Sequence, residues 1–345
     1  WLKCEFGLIS TAMRRAEDLF LWRSPISLPR RLGVVLTHVL TRSVASTSND
    51  LEPRKLGSQE CRAAEVNASP KGYKSYSLLS SMVVSPDSKL LRFALPENLK
   101  SLGAPLPSCL KVKKTFFYAG RDAITLDKSY SPVSLPEQQG FFELLVKGYP
   151  PQPARKDPGG LGAFLVGLKP GETADMEVKA PRLFHGGPYT PNRWEELGFI
   201  AGGTGIAPML QMIRSILTDP IEQTRLSLVF ANRREEDILM RQELDSLALR
   251  HPDRFRVRYV LSSPAPEWIG GRGWVSMEDV STYLPAPADG TMILVCGRDE
   301  FLDTVSGRTS RGPPPPGEKK GPKIQGELTG LLAAAGFEAK HVYKF

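Results

Sequence analysis

Leu197 to Ala201 are apolar, the chain then breaks into Gly202, Gly203, Thr204 and Gly205, and apolar positions restart at Ile206 with helical spacing as far as Leu217. This pattern predicts a strand, a tight turn and an amphipathic helix. Glycines at the turn lack the Cβ atoms that would keep a phosphate away. Pro208 suits a first helical turn, where a missing N–H costs little. Such a turn can seat a nucleotide phosphate on a helix start, although a bare Gly-x-Gly also closes βα units that bind nothing. Further elements follow: apolar strands at 225–232, 254–261 and 291–297, and helices at 235–250 and 277–284. Strands alternating with helices predict a parallel, doubly wound sheet that binds ligands at the carboxyl ends of its strands.

With these elements in place, the chain resembles the ferredoxin-reductase superfamily and, within it, the NADH-cytochrome b5 reductases. Residues 202–211 resemble that family's nicotinamide-nucleotide loop, and residues 230–244 resemble its next strand and helix. The likeness runs from about residue 78 to 345 and is strongest over 197–298. The fold class it implies is α/β and β: an antiparallel FAD-binding β-barrel followed by a doubly wound parallel-sheet NAD(P)-binding domain. Residues 90–96 alternate as a strand and resemble the barrel's opening strand.

The resemblance also assigns roles. Lys128, Tyr130, Ser131 and Ser134 fall in the family's flavin signature. Lys128 stands where the family has an arginine on the FAD pyrophosphate, Tyr130 would pack on the isoalloxazine, and the Ser131 hydroxyl would bond near its N5. Lysine keeps the charge of arginine but loses its two-pronged donor geometry, which predicts a looser hold on FAD. Lys147 and Tyr149 would line the flavin's adenylate side, and the Gly159, Gly160 turn would present backbone N–H groups to the pyrophosphate. Ala163 replaces the family's serine and Ala180 its glycine. Pro188 to Pro191 mimics the flavin signature but falls in the interdomain connection, where Tyr189 is read as a decoy.

On the nicotinamide side the resemblance places Gly202, Gly203, Thr204, Gly205 and Pro208 on the nucleotide. Cys296 would lie beside the nicotinamide, followed by Gly297, and Phe345 would close the chain near both rings. The expected catalytic residues are Ser131 and Cys296. The family's prolines after Gly297 are replaced by Arg298, Asp299 and Glu300; the two carboxylates either repel a pyrophosphate or make surface contacts. Ser262 and Ser263 occupy the stretch where the family carries an acid that favours NADH, and Arg233 and Arg234 follow the second strand. NADPH is therefore expected to be accepted alongside NADH.

Length and composition narrow the rest. At 345 residues with 41% hydrophobic positions the chain can bury two ordinary cores. A surplus of +8 favours an acidic partner or an anionic membrane surface, or is a solvated surface plus a basic leader. Dispersed basic residues without interleaved aromatics argue against nucleic acid. Cys4, Cys61, Cys109 and Cys296 are scattered and His38, His185 and His251 share no ligand spacing, so no metal site, iron–sulfur site or disulfide framework is expected.

Residues 1–50 differ in character. Asp18 and Asp50 bracket an interval without acids that holds Arg23, Arg30, Arg31, Arg42 and many Ser and Thr, the composition of a mitochondrial transit segment. Its apolar stretch, 32–40, is too short to span a bilayer, so no transmembrane helix is expected and membrane association would be peripheral. Trp1 and the downstream Met13 suggest a fragment or an upstream-extended reading frame. The expected organisation is leader 1–50, linker 51–75, FAD barrel 76–190 and nucleotide domain 191–345. That last domain carries an insertion at 307–325 with Pro313 to Pro316 and five basic residues against one acid, expected as a flexible loop or a partner-binding arm.

Two functions from different classes follow. One is a flavin-dependent oxidoreductase carrying electrons from NADH or NADPH through FAD to a haem or another one-electron acceptor protein. The other is a catalytically silent, reductase-fold accessory subunit of a larger mitochondrial complex.

Overall fold

The structure, a computed structural model, describes residues 72–117, 123–149, 160–180, 182–185, 187–314, 316 and 321–345. The expected leader, the linker up to residue 71 and Gly159 lie outside the described residues.

The first domain is an antiparallel sheet of β1 (Lys74–Ser85), β2 (Ser88–Ala94), β3 (Leu110–Phe116), β4 (Ile124–Tyr130), β5 (Phe141–Lys147) and β6 (Thr173–Val178), in the order β4-β3-β6-β1-β2-β5. Alternate residues bury into one core: Tyr76 and Leu78, Leu91 and Phe93, Leu110 and Val112, Phe142 and Leu144, Ala174 and Met176. That period of two is what an enclosed sheet requires. The two edge strands meet through the segment after β4. Pro132 bridges Leu144, the Val133 amide donates to the Glu143 carbonyl (2.9 Å), and the Glu143 amide donates to Ser134 Oγ (3.1 Å). Helix α1 (Gly160–Gly167) plugs the barrel with Leu161 and Leu165.

The second domain is a parallel sheet ordered β10-β9-β8-β7-β11-β14, from β7 (Glu196–Gly202), β8 (Arg225–Asn232), β9 (Phe255–Leu261), β10 (Gly271–Arg272), β11 (Thr291–Cys296) and β14 (Val342–Lys344). Leu197 to Ala201 are buried without interruption, as a strand covered on both faces must be. Helices α2 (Ile206–Thr218) and α3 (Arg241–Arg250) cover one face. The other face is covered by α4 (Met277–Tyr283), α5 (Asp299–Val305) and α6 (Gly330–Ala334). Ser276 caps α4, its hydroxyl accepting from the Asp279 amide at 3.2 Å.

One expected element is corrected. The helix expected over 235–250 is broken: a single 3-10 turn (Glu235–Asp237) precedes α3, with Met240 in the left-handed region at φ 58. The break lets neighbouring Ile238 and Leu239 both bury. The excursion at 307–325, expected as a flexible loop or a partner-binding arm, carries within it a hairpin of β12 (Ser310–Arg311) and β13 (Lys323–Ile324), which leaves that expectation standing.

One polar residue clips the domains together. Gln211, fully buried in α2, accepts from the Ser108 amide (2.7 Å) and donates to the Ser134 carbonyl (2.8 Å). One turn along, Arg214 donates to the Val133 carbonyl (2.5 Å) while its fork holds Glu243. The barrel's closing segment is therefore fixed against the nucleotide domain.

Candidate functional site

The sheet order reverses between β7 and β11, so the carboxyl ends of these strands diverge and open a crevice between them. The turn after β7 sits there, and its glycines have different jobs. Gly203 adopts φ +53 and a Cβ on it would meet nothing within 4 Å. A Cβ on Gly205 would collide with the Cys296 carbonyl oxygen, and one on Gly202 would press on the Phe301 ring at 3.2 Å. Of the three glycines expected to clear space for a phosphate, Gly203 leaves open space, Gly202 lines the cleft against Phe301, and Gly205 lets β11 approach. Pro208 is buried within the first turn of α2, away from the cleft.

An open cleft of about 210 Å³ starts from this turn, lined by Gly202, Gly203, Thr204, Asn232, Arg233 and Trp274 among others. Asn232 is 9% exposed, yet both polar atoms of its amide lack any partner. Buried amides without partners are costly, so this one points to a bound polar group. Trp274 is 68% exposed at the cleft. Ser262 and Arg233, both exposed, line the cleft as well. Lys147, expected on the flavin's adenylate side, lines this cleft and pairs with Asp87 at 2.6 Å. Burial alone would raise the Asp87 carboxyl, but bonds from Lys147 and Ser88 outweigh it and hold it below its ordinary value.

On the barrel side, Leu126, Lys128 and Tyr130 share one face of β4 by the strand's period of two, toward α1. Leu126 Cδ1 lies 4.0 Å from where a Gly160 Cβ would stand. Gly160 opens α1 at φ +61, and a Cβ on Gly162 would come within 2.5 Å of the Lys147 carbonyl oxygen, so this turn packs close onto the end of β5. Burial, with the Tyr149 hydroxyl as a second cause, pushes the Tyr130 phenol up to about 12, so it stays protonated. Lys128 is exposed and has no hydrogen-bond or ion-pair partner among the described residues. Ser131 follows the strand's end, half-buried. Ser134, expected on the cofactor, is 4% exposed and spends its hydroxyl and carbonyl on barrel closure and on Gln211. Tyr189 donates to Glu222 and tilts against Trp194, a packing role that fits a decoy.

Cys296 ends β11, and burial pushes its thiol up to about 11 against the lowering pull of Arg182 and Lys323. It is a thiol, not a thiolate, near neutrality. Gly297 follows, where a Cβ would strike the Phe301 ring. Phe345 extends β14 at the same level: its amide donates to the Val295 carbonyl (2.9 Å) and its ring lies 4.8 Å from the Arg182 guanidinium carbon. Asp299 and Glu300 begin α5, where acids suit a helix start. Both are exposed, and the neighbouring cleft wall is Phe301, so these carboxylates belong to the surface.

Residues 75–183 match the family model described as an oxidoreductase FAD-binding domain, and residues 199–307 the one described as an oxidoreductase NAD-binding domain. NADH-cytochrome b5 reductase 2 of Chaetomium globosum is 35% identical over 292 residues, 84% of this chain and 77% of its own length. NADH-cytochrome b5 reductase 1 of Dictyostelium discoideum is 33% identical over 301 residues, 87% of this chain and 91% of its own. The chain belongs to the NADH-cytochrome b5 reductase family. Its cofactors are FAD and a nicotinamide nucleotide, and it is a flavin-dependent oxidoreductase. The crystal structure of the cytochrome b5 reductase domain of Ulva prolifera nitrate reductase superposes with TM-score 0.66 at 27% identity, covering 80% of this chain and 98% of that one.

Two residues beside this candidate site escape a reading of the motifs: Asn232 and Arg182. Asn232 ends an apolar strand and was detectable as the polar break there. Arg182 reaches the Phe345 ring and the Cys109 thiol only in three dimensions. Among the described residues no group of three or more His, Cys, Asp or Glu could hold a metal, and no helix is long and apolar enough to cross a membrane.

Proposed function

We propose that this protein carries electrons from NADH or NADPH through FAD to a one-electron acceptor, a cytochrome b5 or another haem protein, within mitochondria. The reading rests on one arrangement: Val133, just past the flavin-signature strand, and Cys296, ending β11, pack in one cluster with Phe345, and a cleft with an unpartnered amide at Asn232 opens from the turn after β7. FAD supplies the chemistry that converts a two-electron donor into single electrons. Lys128, free of partners, and the backbone N–H groups opening α1 would meet its pyrophosphate. Tyr130, kept neutral by burial, offers a flat face to its ring, and the Ser131 hydroxyl follows at the strand's end. Gly203 and Thr204 would seat the nicotinamide nucleotide's pyrophosphate, Asn232 would take a polar group of its sugar, and Trp274 presents a surface for its base. The protonated Cys296 thiol adds a small neutral wall for the nicotinamide.

Arg233 at the cleft and Ser262 in place of a carboxylate support acceptance of NADPH, since the one acid lining the cleft, Asp237, is engaged by the Arg234 amide at 3.1 Å. The Arg-, Ser- and Thr-rich leader supports the mitochondrial address. Steady-state reduction of ferricyanide and of cytochrome b5 with either nucleotide tests this reading. Both nucleotides should sustain turnover, and Arg233→Ala should raise KM for NADPH more than for NADH. A purified, FAD-supplemented protein that reduces neither acceptor would overturn the reading in favour of a silent subunit.

A further inference from the structure

The nucleotide cleft uses only the carboxyl ends of the parallel sheet. At the amino ends of β7, β8 and β9 lies a second cavity, of about 230 Å³, lined by Glu196, Arg225, Ser227, Asp253, Arg254 and Arg256 and touched by Pro285. The strand register explains why these side chains meet. Glu196 is level with Arg225, Gly198 with Ser227, and Ser227 with Arg256, and residues level with one another on neighbouring strands point to the same face. Gly198 lets the segment after α4 close over that face, because a Cβ there would strike Ile293 Cδ1 (2.5 Å) and press on Pro285 Cδ (3.1 Å).

The polar groups of this cavity are unequally spent. Arg225 holds Glu196 at 3.0 Å. Arg254 donates from Nη2 to the Ile216 carbonyl (3.2 Å) and the Thr224 carbonyl (3.4 Å), but its Nε is buried without a partner. Ser227 is 4% exposed, and its Oγ has no partner either. Arg256 is exposed and makes no hydrogen bond or ion pair among the described residues, whereas Arg258, the next residue on its face, is held by Asp279 at 3.1 Å. Two buried polar atoms left unpaired beside a free guanidinium call for an acceptor in the cavity. Three cations against two carboxylates favour an anionic one.

We propose that this cavity is a binding site for inorganic phosphate, separate from the nucleotide cleft. An Arg Nε, a second guanidinium and a hydroxyl, reaching in from two neighbouring strands, suit a compact oxyanion with several acceptor oxygens. Asp253 selects among such anions. It is exposed on the cavity lining and makes no hydrogen bond or ion pair among the described residues. A carboxylate repels sulfate, which has no proton to offer, and repels a phosphate monoester, whose second proton leaves at a pKa of about 6. Free phosphate keeps an O–H at neutral pH, and that O–H can donate to Asp253. The inference stands apart from the flavin and nicotinamide reading and needs neither cofactor.

Calorimetric titration of the FAD-loaded full chain with inorganic phosphate at neutral pH tests it, with and without excess NAD⁺ in the cleft. Saturable binding to one site is expected under both conditions. Ser227→Ala and the surface change Arg256→Gln should each weaken it about tenfold, the worth of one hydrogen bond to a charged group. Sulfate and methyl phosphate should bind about tenfold more weakly than phosphate, and Asp253→Asn should erase that gap. Phosphate that NAD⁺ displaces, that binds no better than sulfate, or that is indifferent to both Ser227→Ala and Arg256→Gln is an adventitious ion only and overturns the site. Because heat of phosphate binding is the readout, such a failure leaves the reductase reading untouched.

Discussion

At the scale of single residues, the two glycines flanking Thr204 separate stability from binding. Gly205→Ala forces a methyl into the Cys296 carbonyl, and overpacking of this kind costs about 1–3 kcal/mol. Gly203→Ala meets open space, and its left-handed φ costs roughly 1–2 kcal/mol, but the new methyl stands in the cleft. Urea denaturation and calorimetric NADH titration should show Gly205→Ala losing the greater stability and Gly203→Ala the greater affinity; the reverse order would show that the glycines are misassigned. Because a β-branched residue suits φ +53 poorly, a Gly203→Val change reports on strain as well as on phosphate access. The two tyrosines separate in the same way. Tyr130→Ala should release FAD during gel filtration, whereas Tyr189→Ala should retain flavin and lose stability through Glu222 and Trp194; equal flavin loss would remove Tyr130 from the site.

At the scale of elements, α2 carries both an apolar face and the clip to the barrel. Gln211→Leu orphans a buried N–H and a buried C=O, each worth about 1–3 kcal/mol, so a loss of about 2 kcal/mol or more is expected in urea denaturation. A neutral result would mean that water or a shifted loop replaces the clip.

The β12–β13 hairpin makes a pH prediction. Lys323 titrates near 8 when folded and at its ordinary 10.5 when unfolded, so between these values the unfolded chain holds more protons and stability rises with pH. Wild type should gain stability relative to Lys323→Met as pH climbs from about 8 towards 10. A constant difference would show that the lysine is not crowded.

At the scale of the whole molecule, the parallel sheet was legible because its strands are uninterrupted apolar runs separated by glycine turns, and the barrel because alternate positions in 90–96 repeat every two residues. The flavin signature was legible as order and spacing, but not the division of labour inside it. Ser134 looks like a cofactor hydroxyl in sequence, and only the approach of Glu143 and Gln211 shows it closing the barrel. Lys147 could not be placed from sequence because Asp87, on the turn between β1 and β2, pairs with it at the cleft. The acids after Gly297 looked hostile to a pyrophosphate until α5 turned them to solvent. What stayed hidden was long-range: Arg182, Cys109 and Phe345 come from three separate segments, and no local pattern announces their meeting.

The central claim is that one chain seats FAD and a nicotinamide nucleotide so that electrons pass between them. Anaerobic addition of NADH or NADPH to the FAD-loaded protein, followed by flavin absorbance, tests it most directly. The account predicts loss of the oxidised flavin bands by one equivalent of nucleotide and their return on adding ferricyanide. Bound flavin whose spectrum stays unchanged with excess of either nucleotide would contradict it.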